Sequence, residues 1–563
     1  MTTRVCKCLP GDPCFPSREE WDRLSRTLSQ PVIYDQRPLA AVCYKNSPEY
    51  SPAECEQVSA NQFNGTFLSA SSNAIQWTIF EDVVTPHGIE QCPFNPGPDA
   101  ICHQGRVPSF SINATTIEDI QATIAFASKY NLHLVVKNTG HEFIGREFGV
   151  GSVEIFTHYI QGINFTDNFV PSGISGHDVE GQHAVTIGAG VQWGELYLAA
   201  QQHNRTVVGA FPPFVTVGAG AGWVLGTGHS PLARFYGLGV DNVLQLSVVL
   251  PNASHVIANE YHNNDLFWAL RGGGGPSFGV VTSVTYRTHP NLPYTASSYV
   301  ASADSPESFR KLLQVWLEYH NLVMDAGWSG SWPYADNTLQ LALIAQGIPP
   351  TRPLTIQTLE AFYAASKAIP GINVSVATTV PYSSFYEWYN ASVVSSENTI
   401  EVGIPTAISS WLVPPEVFEL STNELADALA LIPTALTYVV GGGVVSTIDP
   451  DSAAVTPAWR RMITHVIALA PFNQTSDPKV VEAYRQAAHN YTEPLQRLAP
   501  IPYGGQYINE ADILETNWQG AYWGAHYPRL LSIKREIDPQ DLLIVYKGVN
   551  SEEWDDEIIC KRL

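Results

Sequence analysis

The sequence lacks the features of a membrane or nucleic-acid-binding protein. Its most apolar long stretch, residues 425–445, is interrupted by Asp427 and Pro433 and ends in glycines, so it predicts a core segment and not a membrane span. Cations are also scarce, with 30 Lys and Arg against 53 Asp and Glu and a net charge of −23. Nucleic acids and anionic membranes attract basic surfaces, so neither is an expected partner, and a small molecule is.

No pair of cysteines has the Cys-x-x-Cys spacing of a zinc site, and we expect no metal. Eight cysteines are present, and seven of them lie between Cys6 and Cys102. An even number in one region predicts disulfides and an oxidising compartment, although the sequence does not give their pairing. We expect Cys560 to tie the C-terminal region back to the N-terminal region.

Residues 1–10 lack the apolar segment of a signal peptide, although other features predict secretion. Nine Asn-x-Ser/Thr sequons support N-linked glycans; any one could arise by chance, but nine together with the cysteines favour a secreted glycoprotein. We therefore expect a signal to have been removed upstream of Met1. The sequons lie at Asn64, Asn113, Asn164, Asn204, Asn252, Asn373, Asn390, Asn473 and Asn490.

One stretch, residues 134–146, has the pattern of a buried strand that ends in a loop with a histidine, His141. Thr115 and Glu118 have capping-box spacing and predict a helix before it. Loops at strand ends hold phosphates and cofactors in many α/β proteins, because backbone N–H groups point outward there. His141 is either an ordinary loop histidine or a group that contacts such a ligand.

The chain has no dinucleotide fingerprint and no P-loop, yet it has further glycine-rich blocks. Residues 216–230 carry glycine at nearly every second position. They form either a flexible linker or ordered backbone that a flat ligand approaches closely, and the Trp, Val and Leu among them favour the second. Another block, residues 271–275, precedes a predicted strand over residues 278–287.

The order of these blocks resembles the FAD-linked oxidases of the vanillyl-alcohol-oxidase superfamily. The sequence is most similar to the berberine-bridge-enzyme-like branch, and within it to secreted fungal isoamyl-alcohol-oxidase-like proteins. The resemblance covers residues 105–292 and 500–550. It implies an α+β fold with a two-part PCMH-type FAD-binding domain and a substrate domain whose antiparallel sheet is flanked by helices.

The resemblance and the composition divide the chain into four segments. Residues 1–105 are a disulfide-rich N-terminal part of the FAD domain, and residues 106–292 are the PCMH-type FAD-binding domain. Residues 293–502, which are rich in aromatics, form the substrate domain, and residues 503–563 return to the FAD domain. The aromatics of the third segment either line a pocket or simply fill the core.

The resemblance implies FAD bound covalently through His141 alone. Relatives with two links have a cysteine where this chain has Phe214, which cannot form the second link. Ala219 falls where the family controls oxygen access to the flavin, and its small side chain is compatible with an oxidase. The implied cofactor contacts are Lys137, Asn138, Thr139, Gly140, His141, Gly145, Arg146, Thr216, Val217, Gly218, Ala219, Gly222, Gly228, Tyr236, Val280 and Tyr522.

The C-terminal motif Tyr507-Ile508-Asn509-Glu510-Ala511-Asp512 carries the expected catalytic group. The position of the family's basic tyrosine holds Glu510, which we predict to be the general acid/base, with Tyr507 as the alternative. A carboxyl group in a desolvated pocket titrates nearer neutrality than it does in water, which suits this role. His526 replaces a family asparagine, so a flavin contact at that position is in doubt.

Three functions are open to such a chain. The first is an oxidase that converts an alcohol C–OH to a carbonyl and reduces O2 to H2O2, with a small-molecule substrate, O2 and a monomeric state expected. The second is an FAD-dependent biosynthetic enzyme that performs an oxidative cyclisation or a redox-neutral isomerisation. The third is a binding module without turnover, against which an ionisable group at position 510 counts.

Overall fold

The computed structural model describes residues 5–97, 99–174, 180–212, 215–347, 353–395 and 402–562. Phe214, on which the single-link prediction rests, lies outside these residues. The predicted α+β fold is confirmed, because helices alternate with one parallel and several antiparallel sheets. Among the described residues, no helix is both long and apolar enough to cross a membrane.

The N-terminal region is held by disulfides and short elements. Ser17 caps the first helix in a capping box with Glu20. The pairs are Cys6–Cys560, Cys8–Cys14, Cys43–Cys55 and Cys92–Cys102, so the predicted tie between Cys560 and the N-terminal region is confirmed. The elements are α1 (Arg18–Ser25), α2 (Pro52–Ala60), α3 (Gly65–Ala70), β1 (Val83–Thr85) and β2 (Gly88–Glu90).

A small parallel sheet follows, in the order β3-β5-β4. Its elements are β3 (Phe110–Asn113), α4 (Ile117–Tyr130), β4 (Leu134–Lys137) and β5 (Val153–Phe156). The prediction of a Thr115–Glu118 capping box was wrong by one residue, because Thr116 and Asp119 form it. Asp119 is buried and accepts the backbone N–H groups of both threonines, whereas Glu118 is exposed.

The glycine-rich passages surround a five-stranded antiparallel sheet in the order β10-β9-β11-β7-β6. The predicted strand over residues 278–287 is present within it, and begins two residues later than predicted. The elements of this part are β6 (Ile163–Phe169), β7 (Gln182–Gly188), α5 (Trp193–Gln202), β8 (Arg205–Thr206), α6 (Gly222–Gly226), α7 (Ala233–Tyr236), β9 (Val243–Val249), β10 (His255–Ala258), α8 (Asn264–Leu270), β11 (Val280–Arg287) and β12 (His289–Pro290).

An eight-stranded antiparallel sheet occupies the third part of the chain. Its strands are β13 (Tyr294–Ala303), β14 (Trp328–Ser331), β15 (Tyr334–Ala335), β16 (Thr338–Gln346), β17 (Ile372–Tyr382), β18 (Thr406–Val413), β19 (Thr434–Val439) and β20 (Thr464–Pro471). Helices pack against it, and most of the tryptophans from this region are buried, which favours a core role for them. The helices are α9 (Pro306–Asp325), α10 (Pro353–Lys367), α11 (Phe385–Ser395), α12 (Pro415–Leu420), α13 (Thr422–Ala430), α14 (Ala458–Arg461) and α15 (Pro478–Leu498).

The C-terminal segment returns to the five-stranded sheet and contributes α16 (Trp518–Tyr522) and α17 (Tyr527–Ile537). One hydrophobic core joins buried side chains of the five-stranded sheet, the eight-stranded sheet and this segment. The turn Ile508–Glu510 lies beside β18 and α6, so the C-terminal motif reaches the junction between the two sheets.

Candidate active site

A cavity lies where the loop after β4, the glycine-rich passage around α6, the start of β11 and the turn Ile508–Glu510 meet. Most of its wall is apolar, and its polar groups are gathered in two places. We call the first the loop side (Asn138, Thr139, Gly140, His141, Arg146, Glu147). We call the second the imidazole corner (His229, His465, Glu510), although His465 stands behind the wall.

Local backbone geometry shapes the loop side. Gly140 and Gly145 have φ angles of +76° and +69°, which favour glycine. A Cβ at Gly140 would press on Ile75, and one at Gly145 would collide with the ring of Phe80. Both positions therefore require glycine, and the loop folds back tightly enough to present His141 to the cavity.

His141 lines the cavity and is held as a neutral imidazole. Its Nε2 lies 2.8 Å from Thr216 Oγ1, and the indole of Trp77 donates to its carbonyl oxygen at 3.2 Å. Burial, with a smaller contribution from the charge of Lys137, lowers the pKa of His141 to about 3. A neutral imidazole has the nitrogen lone pair that a covalent bond to a cofactor requires.

Arg146 links the loop to the C-terminal motif. It forms a buried ion pair with Glu142 at 2.8 Å and donates to Ile508 O at 2.9 Å and Asn509 Oδ1 at 3.1 Å. Its Nη1 is buried and makes no hydrogen bond within the described residues. A polar ligand in the cavity would supply the acceptor that this nitrogen lacks.

The cavity wall fits a flat cofactor. A Cβ at Gly218 would collide with Asn138 Oδ1, and the Gly218 N–H donates to Thr139 Oγ1 at 3.2 Å. Gly222 lines the wall with open space where a side chain would stand, and its carbonyl accepts from Asn509 Nδ2 at 2.8 Å. Asn138 Oδ1 is buried with no partner among the described residues. Close glycine backbone and unsatisfied polar atoms are the features that a bound flavin nucleotide would use.

The imidazole corner brings together three distant parts of the chain. His229 Nε2 lies 3.1 Å from Glu510 Oε1, and His465 Nδ1 lies 3.5 Å from Glu510 Oε2. Burial and the neighbouring His229 lower the pKa of His465 well below its usual range. Burial and the charge of Glu510 raise the pKa of Tyr438, which packs against His229. A carboxylate between two imidazoles is an arrangement that can hold or release a proton.

The other predicted site residues divide into two groups. Val217, Gly218, Gly222, Val280 and Tyr507 line the cavity, together with the loop-side residues. The remaining predicted contacts do not line it. They are Lys137, Gly145, Thr216, Ala219, Gly228, Tyr236 and Tyr522.

Several of the predicted residues that do not line the cavity make identifiable structural contacts. Lys137 is buried and donates to Ser71 O at 2.8 Å, and burial lowers its pKa to about 8. The carbonyl of Ala219 accepts from Tyr286 at 2.7 Å, and Tyr236 stacks on His289 at 3.9 Å. His526 bonds Val455 O and Asp451, both at 2.9 Å, and does not line the cavity, in keeping with the doubt about its flavin contact.

Several lining or supporting residues were not identified from the sequence. His229 stands at the end of the glycine-rich passage and could have been selected as a histidine in that block. His465 is a single histidine in an apolar strand and carries no local signal. Glu147 follows Arg146 directly in the sequence, and only the folded structure shows that it lines the cavity beside Glu142.

Comparisons with known proteins identify the family of this chain. A model described as an FAD binding domain matches residues 108–259, and one described as berberine and berberine like matches residues 506–550. An uncharacterized FAD-linked oxidoreductase from Arthroderma benhamiae is 36% identical over 99% of this chain and 96% of its own length. The FAD-linked oxidoreductase notD from Aspergillus sp. is 33% identical over 99% of this chain and 90% of its own length.

Solved structures share the fold. The VAO-type flavoprotein MtVAO713 from Myceliophthora thermophila superposes with a TM-score of 0.88 at 25% identity, covering 100% of both chains. MtVAO615 from the same organism gives 0.85 at 27% identity, covering 99% of this chain and 100% of its own. The glucooligosaccharide oxidase of Acremonium strictum gives 0.64 at 20% identity over 78% of this chain and 91% of its own, which shows the fold alone.

The fold and the glycine-lined cavity define an FAD-dependent oxidoreductase. The chain belongs to the family of FAD-linked oxidoreductases of the vanillyl-alcohol-oxidase and berberine-bridge type.

Proposed function

We propose that this protein is a secreted oxidase that carries FAD covalently on His141 and converts a substrate alcohol to a carbonyl compound, with O2 reduced to H2O2. The observation that supports it most is a half-buried carboxylate, Glu510, in the same cavity as a neutral histidine on a glycine loop. The alcohol loses two hydrogens and two electrons, which O2 accepts, so atoms and electrons balance.

The cofactor would be held by the loop side and the glycine wall. His141 supplies the lone pair for the covalent bond, while Gly140, Gly218 and Gly222 allow close approach. Arg146 Nη1 and Asn138 Oδ1 offer unsatisfied polar atoms. When bound, FAD supplies the acceptor for the substrate's hydride and the centre that O2 reoxidises.

Attachment through a single link follows from the side chain at position 214. The Acremonium strictum glucooligosaccharide oxidase is described as having a 6-S-cysteinyl, 8α-N1-histidyl FAD, which needs a cysteine as well as a histidine. This chain has Phe214 at the corresponding position, and all eight of its cysteines form disulfides. No thiolate is left for a second link.

We assign the acid/base role to Glu510 because the alternative, Tyr507, is a poor proton acceptor. The hydroxyl of Tyr507 donates to Trp223 O at 3.1 Å and accepts from Asn509 at 2.8 Å. Burial, followed by the charge of Glu510, raises the pKa of Tyr507 well above its usual range. Tyr507 therefore stays protonated and hydrogen-bonded, and the hydroxyl proton of the substrate goes to the Glu510 carboxylate.

The sheets support the four segments proposed from the sequence. Residues 106–292 together with 503–563 would hold FAD, and residues 293–502 would form the substrate domain. Residues 1–105 would support the FAD-binding part. The cavity draws its walls from the FAD-binding segments, while the eight-stranded sheet contributes Tyr438 and His465 beside Glu510.

Secretion and glycosylation are supported by disulfides and by exposed sequons. The asparagines of eight of the nine sequons are exposed, and Asn113 alone is half-buried. Four disulfides suit an oxidising compartment. We propose a monomeric extracellular glycoprotein, which mass spectrometry with and without glycosidase, and light scattering, would test.

The test of the function combines cofactor attachment with peroxide release. Wild-type protein should stay yellow after acid precipitation and release H2O2 with at least one member of an alcohol panel. His141→Ala should release its flavin into the supernatant, whereas His203→Ala, at an exposed histidine, should not. A colourless wild-type protein would favour a binding module, and substrate rearrangement without peroxide would favour the cyclase or isomerase.

A further inference from the structure

His465 is a buried histidine that no proposed cofactor or substrate contact uses. It lies within β20, opposite Leu412 of β18 and Tyr438 of β19. Its side chain is 0% exposed, and it does not line the cavity. Its Nδ1 faces the carboxyl group of Glu510, which lines the cavity.

Several buried polar atoms at the imidazole corner have no hydrogen-bond partner among the described residues. Both ring nitrogens of His465, Nδ1 of His229 and Oε2 of Glu510 are buried and make no hydrogen bond within the described residues. Two of these atoms, His465 Nδ1 and Glu510 Oε2, lie 3.5 Å apart. Because buried polar atoms are normally paired, this separation marks a contact that a small side-chain movement completes.

The same three side chains could also be considered as metal ligands. Their donor atoms lie within 4.8 Å of one another. A histidine that binds a metal normally donates its other ring N–H to an acceptor. Neither His229 Nδ1 nor His465 Nε2 has one in the described structure, so the arrangement suits proton exchange better than metal binding.

We propose that His465 is a positioning residue that donates its Nδ1–H to Glu510 Oε2 and keeps the carboxylate ionised and aimed at the cavity. His229 donates its Nε2–H to Oε1 at 3.1 Å in the same way, so two imidazole N–H groups bracket one carboxylate. A carboxylate that accepts two N–H bonds is stabilised in its charged form. This inference rests on the proposed role of Glu510 as the acid/base.

Other ionisable groups near Glu510 leave this role to the histidines. Tyr438 and Tyr507 have pKa values raised well above their usual range by burial, so both stay neutral. Arg146 is paired with Glu142 and reaches only the backbone of Ile508 and the side chain of Asn509. The groups that face Glu510 from the packed elements are His229, Tyr438, His465, Tyr507 and, one residue further, Arg146.

The test compares two substitutions of nearly equal shape. His465→Asn keeps an N–H donor near the Nδ1 position, and His465→Leu removes it. The readout is the pH profile of anaerobic flavin reduction by a substrate alcohol. The acidic limb should move upward by about one to two pH units in the Leu variant, the range that a hydrogen bond to a charged group represents, and stay near wild type in the Asn variant.

A second readout does not depend on turnover. The carboxylic-acid C=O band of Glu510, identified by its loss in Glu510→Gln, should appear at a higher pH in the Leu variant than in wild type or the Asn variant. Equal shifts in both variants, or none in either, would overturn the inference. A stoichiometric metal that chelation removes, with loss of activity that the metal restores, would overturn it as well.

The outcomes also separate this inference from the function on which it rests. If wild type reduces its flavin, and Glu510→Gln abolishes the acidic limb while both His465 variants keep it in place, only the role of His465 fails. If wild type is not reduced by any alcohol, or Glu510→Gln leaves the limb intact, the proposed function or its acid/base fails instead.

Discussion

Glu147 and Glu510 line the same cavity, yet their ionisable neighbours differ in kind. Glu147, on the loop side, faces Glu142, and one of its carboxyl oxygens has no partner within the described residues. Burial and the charge of Glu142 raise its pKa to about 8. Glu510, in the imidazole corner, lies between His229 and His465.

The difference shows that burial alone does not define a catalytic carboxyl. Glu147 is buried and the Glu510 side chain is 13% exposed, so both are largely shielded from water. A carboxylate beside Glu142 is repelled and holds its proton at neutral pH. The Glu510 carboxylate instead has one imidazole nitrogen 3.1 Å from Oε1 and another 3.5 Å from Oε2. The loop side therefore suits cofactor binding and the imidazole corner suits proton transfer, and the following predictions test that division, beginning with the largest effect.

Glu510→Gln should give the largest change. The substitution keeps the shape and removes the proton acceptor, so anaerobic flavin reduction should slow by roughly 10²–10⁴-fold, the usual contribution of a general acid or base. Flavin content and its visible spectrum should be nearly those of wild type. Rapid-mixing absorbance of the flavin measures the rate.

The same change on the loop side serves as the comparison. Glu147→Gln replaces an acid that is already protonated at neutral pH, so its reduction rate should lie much closer to wild type. Equal losses in the two variants would break the distinction between the loop side and the imidazole corner. A Glu510→Gln rate within about threefold of wild type would lie far outside the expected range. It would show that the substrate's hydroxyl proton goes to another group.

Gly218→Ala should damage the loop side and leave the imidazole corner intact. The new Cβ would collide with Asn138 Oδ1, and overpacking of this kind costs about 1–3 kcal/mol. We expect a lower free energy of unfolding in chemical denaturation and a lower flavin content. Gly97→Ala is the control, because a Cβ there meets open space. Normal flavin content and stability in Gly218→Ala would show that Asn138 moves to accommodate the added methyl group.

Glu147→Gln should change how stability depends on pH. The pKa of Glu147 is about 8 in the folded protein, against about 4.3 in an unfolded chain, so the folded state binds the extra proton between these values. Stability therefore falls as pH rises through this window. In the variant this fall in stability, which amounts to at most about 1.4 kcal/mol per pH unit, should be absent. Identical pH dependence of unfolding in variant and wild type would mean that Glu147 is ionised after folding.

Thr216→Val should have the smallest effect of the four. It removes one partner of His141 Nε2 without changing the shape of the side chain, and a hydrogen bond of this kind contributes about 0.5–1.5 kcal/mol. Chemical denaturation measures the loss, and acid precipitation should show slower or incomplete covalent attachment. Unchanged reduction kinetics in the fully flavinylated fraction would confirm that this contact serves attachment and not proton transfer.

The sequence predicted the loop side far better than the imidazole corner. His141 and its glycines lie in one continuous stretch, so strand, loop and ligand group follow one another in the chain. Gly140 and Gly145 are needed for local reasons that hold in any surroundings. The α+β fold and most strands followed from similarly local patterns and from the family resemblance.

The imidazole corner depends on contacts that no local pattern shows. Glu510 was predicted from its motif, but its partners come from residues 229 and 465, on separate elements. In its local sequence, His465 does not differ from a structural histidine such as His320, which is buried on α9. Its role depends on the pairing of β18, β19 and β20, which places it beside Glu510.

The disulfide between Cys6 and Cys560 has a consequence for biosynthesis. The two cysteines are 554 residues apart in sequence. At synthesis rates of about 5–20 residues per second, Cys6 waits roughly half a minute to two minutes before its partner exists. The other six cysteines become available to one another within a few seconds, because their pairs are at most 12 residues apart. An oxidoreductase chaperone that holds the Cys6 thiol through this interval would keep it from pairing with Cys8 or Cys14, and such a mixed disulfide is the species to look for in cells that fold the protein slowly.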